Sequence, residues 1–184
     1  MVNAPFVPEE VFLRLSEQGI DTRSINFEGN MIVSFALDGE DYDRLTALVA
    51  YFKNTGIAQM GVLFAPFDNE WTRRLLGEAL AYFPNRVCYP HEVILKEIGY
   101  DNYASYGPLM DLFRPLSEDG ELWDAGRAYL GSGLDASKAA KSLYLHRNTL
   151  NNRLHAVLAS TGIDIRDYHN AMLLELYYGL KGKR

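Results

Sequence analysis

The stretch from Asp135 to Gly162 constrains this chain most. Two helix-length segments, Ser137–Leu143 and Arg147–Ser160, are separated by only a few residues. That is helix-turn-helix spacing. Asp135 is a strong N-cap for the first helix, a break falls at Tyr144-Leu145, and Gly162 stops the second helix. Ala140 is the small residue where two helices cross closely, and Leu143, Leu145, Leu150 and Leu154 are placed to bury the junction. This leaves His146, Arg147, Asn148, Thr149, Asn151, Asn152 and Arg153 at or near the start of the second helix. Ser137 and Lys138 stand at the start of the first. No acid lies between Lys138 and Arg153.

Such a donor-rich helix start suits double-stranded DNA. In the major groove Arg bridges guanine O6/N7 and Asn bridges adenine N6/N7. Hydroxyls, Lys and backbone N–H groups at helix starts take phosphates. The preceding helix lies across the backbone and holds the register. The plainer alternative is a helical hairpin with a solvated polar face, and capping is as good a use for His146 as a phosphate contact.

The rest of the C-terminal part also has helical spacing. Leu122–Leu130 is closed by Gly131-Ser132-Gly133. Residues 168–180 carry an apolar stripe of Met172, Leu173, Leu176, Tyr177 and Leu180. The tail Lys181-Gly182-Lys183-Arg184 reads as disordered chain able to add phosphate contacts.

Upstream the pattern changes. Pro8-Glu9-Glu10 opens a short helix that Gly19 ends. Ser24–Glu28 and Met31–Leu37 read as strands joined at Gly29-Asn30. Asp41–Asn54 is an amphipathic helix with Tyr42, Leu45, Leu48, Val49 and Phe52 on one face. Ala58–Phe64 has strand length. Asp68 or Asn69 caps the next helix, which turns Trp71, Leu75, Ala79 and Leu80 inward and ends at Pro84. Arg86–Tyr89 is a further strand, His91–Ile98 fits helix or strand, and Gly99–Gly107 is an irregular link carrying Tyr100, Tyr103 and Tyr106. Those tyrosines either pack a linker or line a pocket. The turn-rich Pro115–Gly120 marks the module boundary. The expected fold class is therefore α+β: an α/β module over 1–118 with helices on a small sheet, then an all-α domain over 119–184.

Charge divides at the same place. The first 120 residues carry 9 basic and 18 acidic side chains, a formal −9. Residues 121–184 carry 9 and 6, a formal +3, within a total of −6. The basic end is the one suited to a polyanion. At 184 residues, 48% hydrophobic and 23% charged, the chain has the composition of a folded protein with a real core. No apolar run approaches the ~20 residues of a membrane span, and the acidic start lacks a secretory signal core. The single cysteine, Cys88, excludes an internal disulfide and zinc sites needing two cysteines. It reads as a buried structural thiol in a cytoplasmic protein. His91 and His169 are isolated, His155 is exposed beyond the contact residues, and no metal, cofactor or catalytic constellation emerges. Asp38, Asp41 and Asp43 read as helix-start acids.

Residues 122–180 resemble the C-terminal helix-turn-helix domain of bacterial PucR/CdaR-type transcription regulators, a relative of the Fis-type DNA-binding fold. The resemblance rests on Ala139-Ala140-Lys141-Ser142-Leu143, Leu145-His146-Arg147-Asn148-Thr149-Leu150, Arg153-Leu154 and Thr161-Gly162. It implies that Arg147 faces base edges, Thr149 meets a phosphate, Asn151 looks into the groove and Asn152 lies near the backbone. Two residues depart from the pattern. Tyr144 stands at a turn position where Gly is common, and Asn152 stands where the family has an aromatic residue. Residues 31–90 more loosely resemble the GGDEF-like region that precedes this domain in the family, but the Gly-Gly-Asp/Glu-Glu-Phe signature is absent, so no cyclase activity is implied. The resemblance implies a transcription regulator that binds DNA, not an enzyme; because a lone domain of this size contacts one half-site, a homodimer is expected, with a small-molecule effector as a further partner and no membrane. Two alternatives remain: a ligand-binding or protein-interaction module whose helical domain no longer binds DNA, and a nucleotide-processing enzyme, which lacks a catalytic signature.

Overall fold

The computed structural model describes residues 2–4, 13, 17, 22–27, 30–35, 41–54 and 61–182. The chain divides into two compact units, Met1–Asn102 and Tyr103–Arg184.

In the first unit the elements are β1 (Val2–Ala4), β2 (Thr22–Phe27), β3 (Asn30–Phe35), α1 (Asp41–Asn54), β4 (Gly61–Leu63), α2 (Glu70–Tyr82), β5 (Val87–Cys88) and α3 (Pro90–Gly99). The helix expected from Pro8 to Gly19 lies outside the described residues except for Leu13 and Glu17, which are helical. Among the described residues the five strands form one sheet in the order β2-β3-β1-β4-β5. β2 and β3 pair antiparallel, with Phe27 opposite Asn30, so Asn30, expected in the turn with Gly29, belongs to β3; Glu28 and Gly29 lie outside the described residues. β1, absent from the sequence reading, lies between β3 and β4. It is antiparallel to both, with Val2 opposite Val33 and Val62. β4 and β5 run parallel. With helical residues between β1 and β2, and α1 between β3 and β4, this is the β-α-β-β-α-β split arrangement of ferredoxin-like sheets.

The described core of this unit is Val49, Val62, Leu63, Trp71, Leu75, Leu76, Ala79, Val87, Cys88, Val93 and Ile94. Of the stripe expected on α1, Val49 is buried, and the side chains of Tyr42, Leu45, Leu48 and Phe52 lie outside the described ones. On α2 the expected Trp71, Leu75 and Ala79 are buried, whereas Leu80 is half-buried. Asn69, one of the two expected caps, starts α2. Its Oδ1 accepts from Thr72 N at 2.9 Å, and Thr72 Oγ1 accepts from Asn69 N at 3.0 Å, a reciprocal box that satisfies two orphan donors. Gly61 is required by close approach: a Cβ there would stand 2.7 Å from the Leu80 backbone nitrogen. His91–Ile98, open between helix and strand from sequence, is helical in α3.

The second unit is helical: α4 (Tyr106–Leu112), α5 (Arg114–Glu118), α6 (Gly120–Gly131), α7 (Ala136–Ser142), α8 (Arg147–Thr161) and α9 (Tyr168–Lys181). It starts well before the boundary expected at 118/119. Pro115–Glu118, read as turn, is helical because Pro115 sits in the first turn of α5, where a missing N–H costs nothing. Leu109, Phe113 and Leu116 are fully buried, and the Phe113 ring lies 5.3 Å from that of Tyr177 on α9. Burial of side chains of this size is worth ~1.5–3 kcal/mol each. These contacts fasten residues 106–118 to the C-terminal helices.

The stripe expected on α9 is rotated. Ala171, Leu173, Leu174 and Tyr177 are buried, whereas Met172, Leu176 and Leu180 are only half-buried. Tyr178 supplies the reason. Its hydroxyl donates to the Trp123 carbonyl at 2.9 Å, and the two rings meet edge to face at 4.5 Å. That contact draws the Leu174–Tyr178 side of α9 toward α6. Lys181, expected in a disordered tail, is the last residue of α9. Its Nζ donates to Tyr177 Oη at 3.1 Å and lies 5.0 Å from the Trp123 ring centre. Lys183 and Arg184 lie outside the described residues.

Candidate nucleic-acid interface

Asp135 caps α7 as its residue type requires. Its Oδ1 accepts from Ser137 N at 2.9 Å and Lys138 N at 3.0 Å. Hydrogen bonds from the Lys138 and Ser137 backbone hold the carboxyl below the usual carboxylate range. The Lys138 ammonium lies 3.6 Å from Asp135 Oδ2 and remains on the surface. Ala139 and Ala140 are buried, which lets α7 approach its neighbours closely.

The turn after α7 is closed by the backbone alone. Leu145 N donates to Ala140 O at 2.8 Å and Tyr144 N to Lys141 O at 3.2 Å. This pair of bonds places the second-last residue of the motif in the left-handed region. That residue is Tyr144, at φ +56°, the position flagged from the sequence as one where Gly is common. Its side chain is 98% exposed.

His146 then caps α8. Its Nδ1 accepts from Asn148 N at 3.2 Å, which requires that ring nitrogen to be unprotonated. Leu150, Leu154 and Val157 are buried, and Leu143 and Leu145 are half-buried beside them. Gly162 ends α8 at φ +73°.

With the inner face of α8 fixed, the remaining positions follow from helical geometry. Arg147, Asn148, Thr149 and Asn152 are exposed, as are Ser137, Lys138 and His146. Asn151 is half-buried. Seven of the nine residues singled out from the sequence thus share the exposed surface of one helix pair. Arg153 does not. Its guanidinium pairs with the Glu121 carboxylate at 2.8 Å, and its side chain is only 20% exposed. It ties α8 to the start of α6.

The outward face of α8 continues past these residues to His155 and Ala156. The spacing Asn148, Asn152, His155 places all three on one exposed helical face, a periodicity visible in the sequence. Arg166 Nη1 lies 3.3 Å from His155 Nε2. Arg166 is itself held by two 2.7 Å bonds to Asp164, and the same guanidinium keeps the Asp164 carboxyl below its ordinary range.

Other candidates from the sequence are placed differently. Cys88 is buried, with its thiol donating to Val62 O at 3.3 Å. Burial pushes the thiol up to about 12, which leaves it protonated and inert. His91 is buried with its ring stacked on Tyr89 at 5.9 Å, and His169 meets the Tyr168 ring edge-on at 5.3 Å. Tyr100 stacks on Tyr82 at 5.6 Å within the first unit, whereas Tyr103 and Tyr106 belong to the second. Among the described residues no group of three or more His, Cys, Asp or Glu is placed to hold a metal ion. No helix among them is long and apolar enough to cross a membrane.

No curated protein matches the chain. The span from α6 to near the end of α9, residues 122–179, matches the family described as the PucR C-terminal helix-turn-helix domain.

Proposed function

We propose that this chain is a sequence-specific DNA-binding transcription regulator in which α8 enters the major groove. One observation carries the reading. Within a segment similar to the PucR helix-turn-helix domain, Ser137, Lys138, His146, Arg147, Asn148, Thr149 and Asn152 are exposed together, on a stretch without a single acid. Arg147 and the asparagines offer the bidentate donors that read base edges. Ser137, Lys138 and Thr149 offer phosphate contacts that fix the register. Arg153 holds α8 from behind through Glu121.

A single helix-turn-helix contacts one half-site, and a second copy one helical turn away supplies further affinity and specificity. The protein therefore acts as a homodimer in the cytoplasm, where bacterial DNA resides. Its first unit is a degenerate GGDEF-like module for dimerisation or regulation, the latter through a small-molecule effector. The ferredoxin-like strand order fits that assignment. The chain contains no carboxylate-rich Gly-Gly signature, so the reading includes no nucleotide chemistry.

Selection from a random duplex pool at two salt concentrations tests this. The expected result is a motif with paired half-sites and affinity that falls steeply with salt. Arg147→Ala then relaxes one base position by ~1–3 kcal/mol. A pool that shows neither enrichment nor salt-dependent binding refutes the reading.

A further inference from the structure

Tyr144 is the most exposed of the large hydrophobic side chains described, at 98%, and it stands in a left-handed conformation at φ +56°. An L-residue other than Gly, Asn or Asp carries a steric penalty there. The turn gains nothing from the tyrosine in return. Its two closing hydrogen bonds, Leu145 N to Ala140 O and Tyr144 N to Lys141 O, are backbone bonds that any residue would make. The ring is too exposed to pack. A bulky aromatic that strains the backbone and contributes nothing to the fold points to a contact outside the chain.

Its surroundings identify the chemistry. Lys141, His146, Arg147, Asn148 and Thr149 flank it, all exposed, and no acid lies among them. A phenol differs from these cations and amides, and from the short Thr149 hydroxyl, in carrying its one neutral O–H at the far end of a rigid ring. We infer that the Tyr144 hydroxyl donates a hydrogen bond to a DNA backbone phosphate beside the groove entered by α8. The contact extends the interface onto the turn and positions the helix pair without reading sequence. This rests on the DNA-binding reading above.

The test uses the full chain and a fluorescent duplex of random sequence, titrated over a range of salt concentrations. Tyr144→Phe removes only the hydroxyl. It is expected to weaken binding about tenfold, the usual cost of losing a hydrogen bond to a charged acceptor. The salt slope stays unchanged, because a neutral donor releases no counterion. Lys138→Ala, by contrast, lowers the slope by ~0.9. Tyr144→Gly separates this role from a structural one: it relieves the backbone and raises the melting temperature while weakening binding at least as much as Tyr144→Phe. Full affinity in Tyr144→Phe, with the wild type binding normally, overturns the phosphate contact and leaves the DNA reading intact. Absence of salt-dependent binding by the wild type overturns the DNA reading and the contact with it.

Discussion

Gly126 lies in the middle of α6 where helix propensity favours almost any other residue, and its substitution tests the packing of the second unit. A Cβ built there stands 2.5 Å from Tyr178 Oη and 3.3 Å from Leu174 Cδ2. The Tyr178 hydroxyl is fixed by its 2.9 Å bond to the Trp123 carbonyl and the ring by edge-on contact with Trp123. Burial pushes its phenol well above the ordinary range. Gly126→Ala gains ~1 kcal/mol of helix propensity. Against that stand ~1–3 kcal/mol of overpacking and ~0.5–1.5 kcal/mol for the displaced hydrogen bond. The net loss is roughly 1–3 kcal/mol, a fall of roughly 4–24 °C in the melting of a unit this size. Calorimetry of the full chain reads this directly. Tyr178→Phe removes the clashing oxygen, so the double variant is expected to be more stable than the sum of the single effects by about 1 kcal/mol. Additivity of the two changes, or a neutral Gly126→Ala, refutes the argument.

Three further outcomes follow from the same structure. Leu150→Ala empties a fully buried position under the helix pair and costs ~2–5 kcal/mol, measured by urea denaturation; a loss below 1 kcal/mol contradicts the burial. Arg153→Ala breaks the pair with Glu121, whose carboxylate side chain is 73% exposed, so the stability cost stays below about 1 kcal/mol and the salt slope of DNA binding does not change; a slope reduced by ~0.9 would make Arg153 a phosphate contact instead. With the Cys88 thiol raised to about 12, the unfolded chain loses this proton first as pH rises. Its contribution is therefore complete below the ordinary thiol range and falls by ~1.4 kcal/mol per pH unit above it, a slope that Cys88→Ala removes when the two proteins are compared by denaturation from pH 8 to 11.

The helix-turn-helix was legible because its signals are local. Asp135, the Ala139-Ala140 pair, the leucines and Gly162 each act within a turn or two of their own position, and α7 and α8 fall where they indicate. The hydrophobic spacing of α1 was equally sufficient for its limits. What escaped depended on distant partners. Val2–Ala4 is too short to show a period, and it is a strand only because β3 and β4 accept it on either side. Pro115 signals a turn as readily as a helix start, and Phe113 and Leu116 settle the matter by their burial. Arg153 looks like a groove residue by charge, yet Glu121, 32 positions earlier, takes its guanidinium. On α9 the expected Leu173 and Tyr177 are buried but Met172, Leu176 and Leu180 are not, because one tyrosine hydroxyl, satisfied across the bundle, outweighs the count of leucines along the helix.

The central place of β1 imposes an order of events on the first unit. β1 precedes both of its partners along the chain, with β4 ending at Leu63. Until that residue has left the ribosome, β1 has only one of its two neighbours, and the sheet stops at the three strands β2-β3-β1. Such long loop closures slow folding relative to local helical contacts. The helical second unit can therefore form soon after its own residues emerge, while the older half of the polypeptide is still assembling.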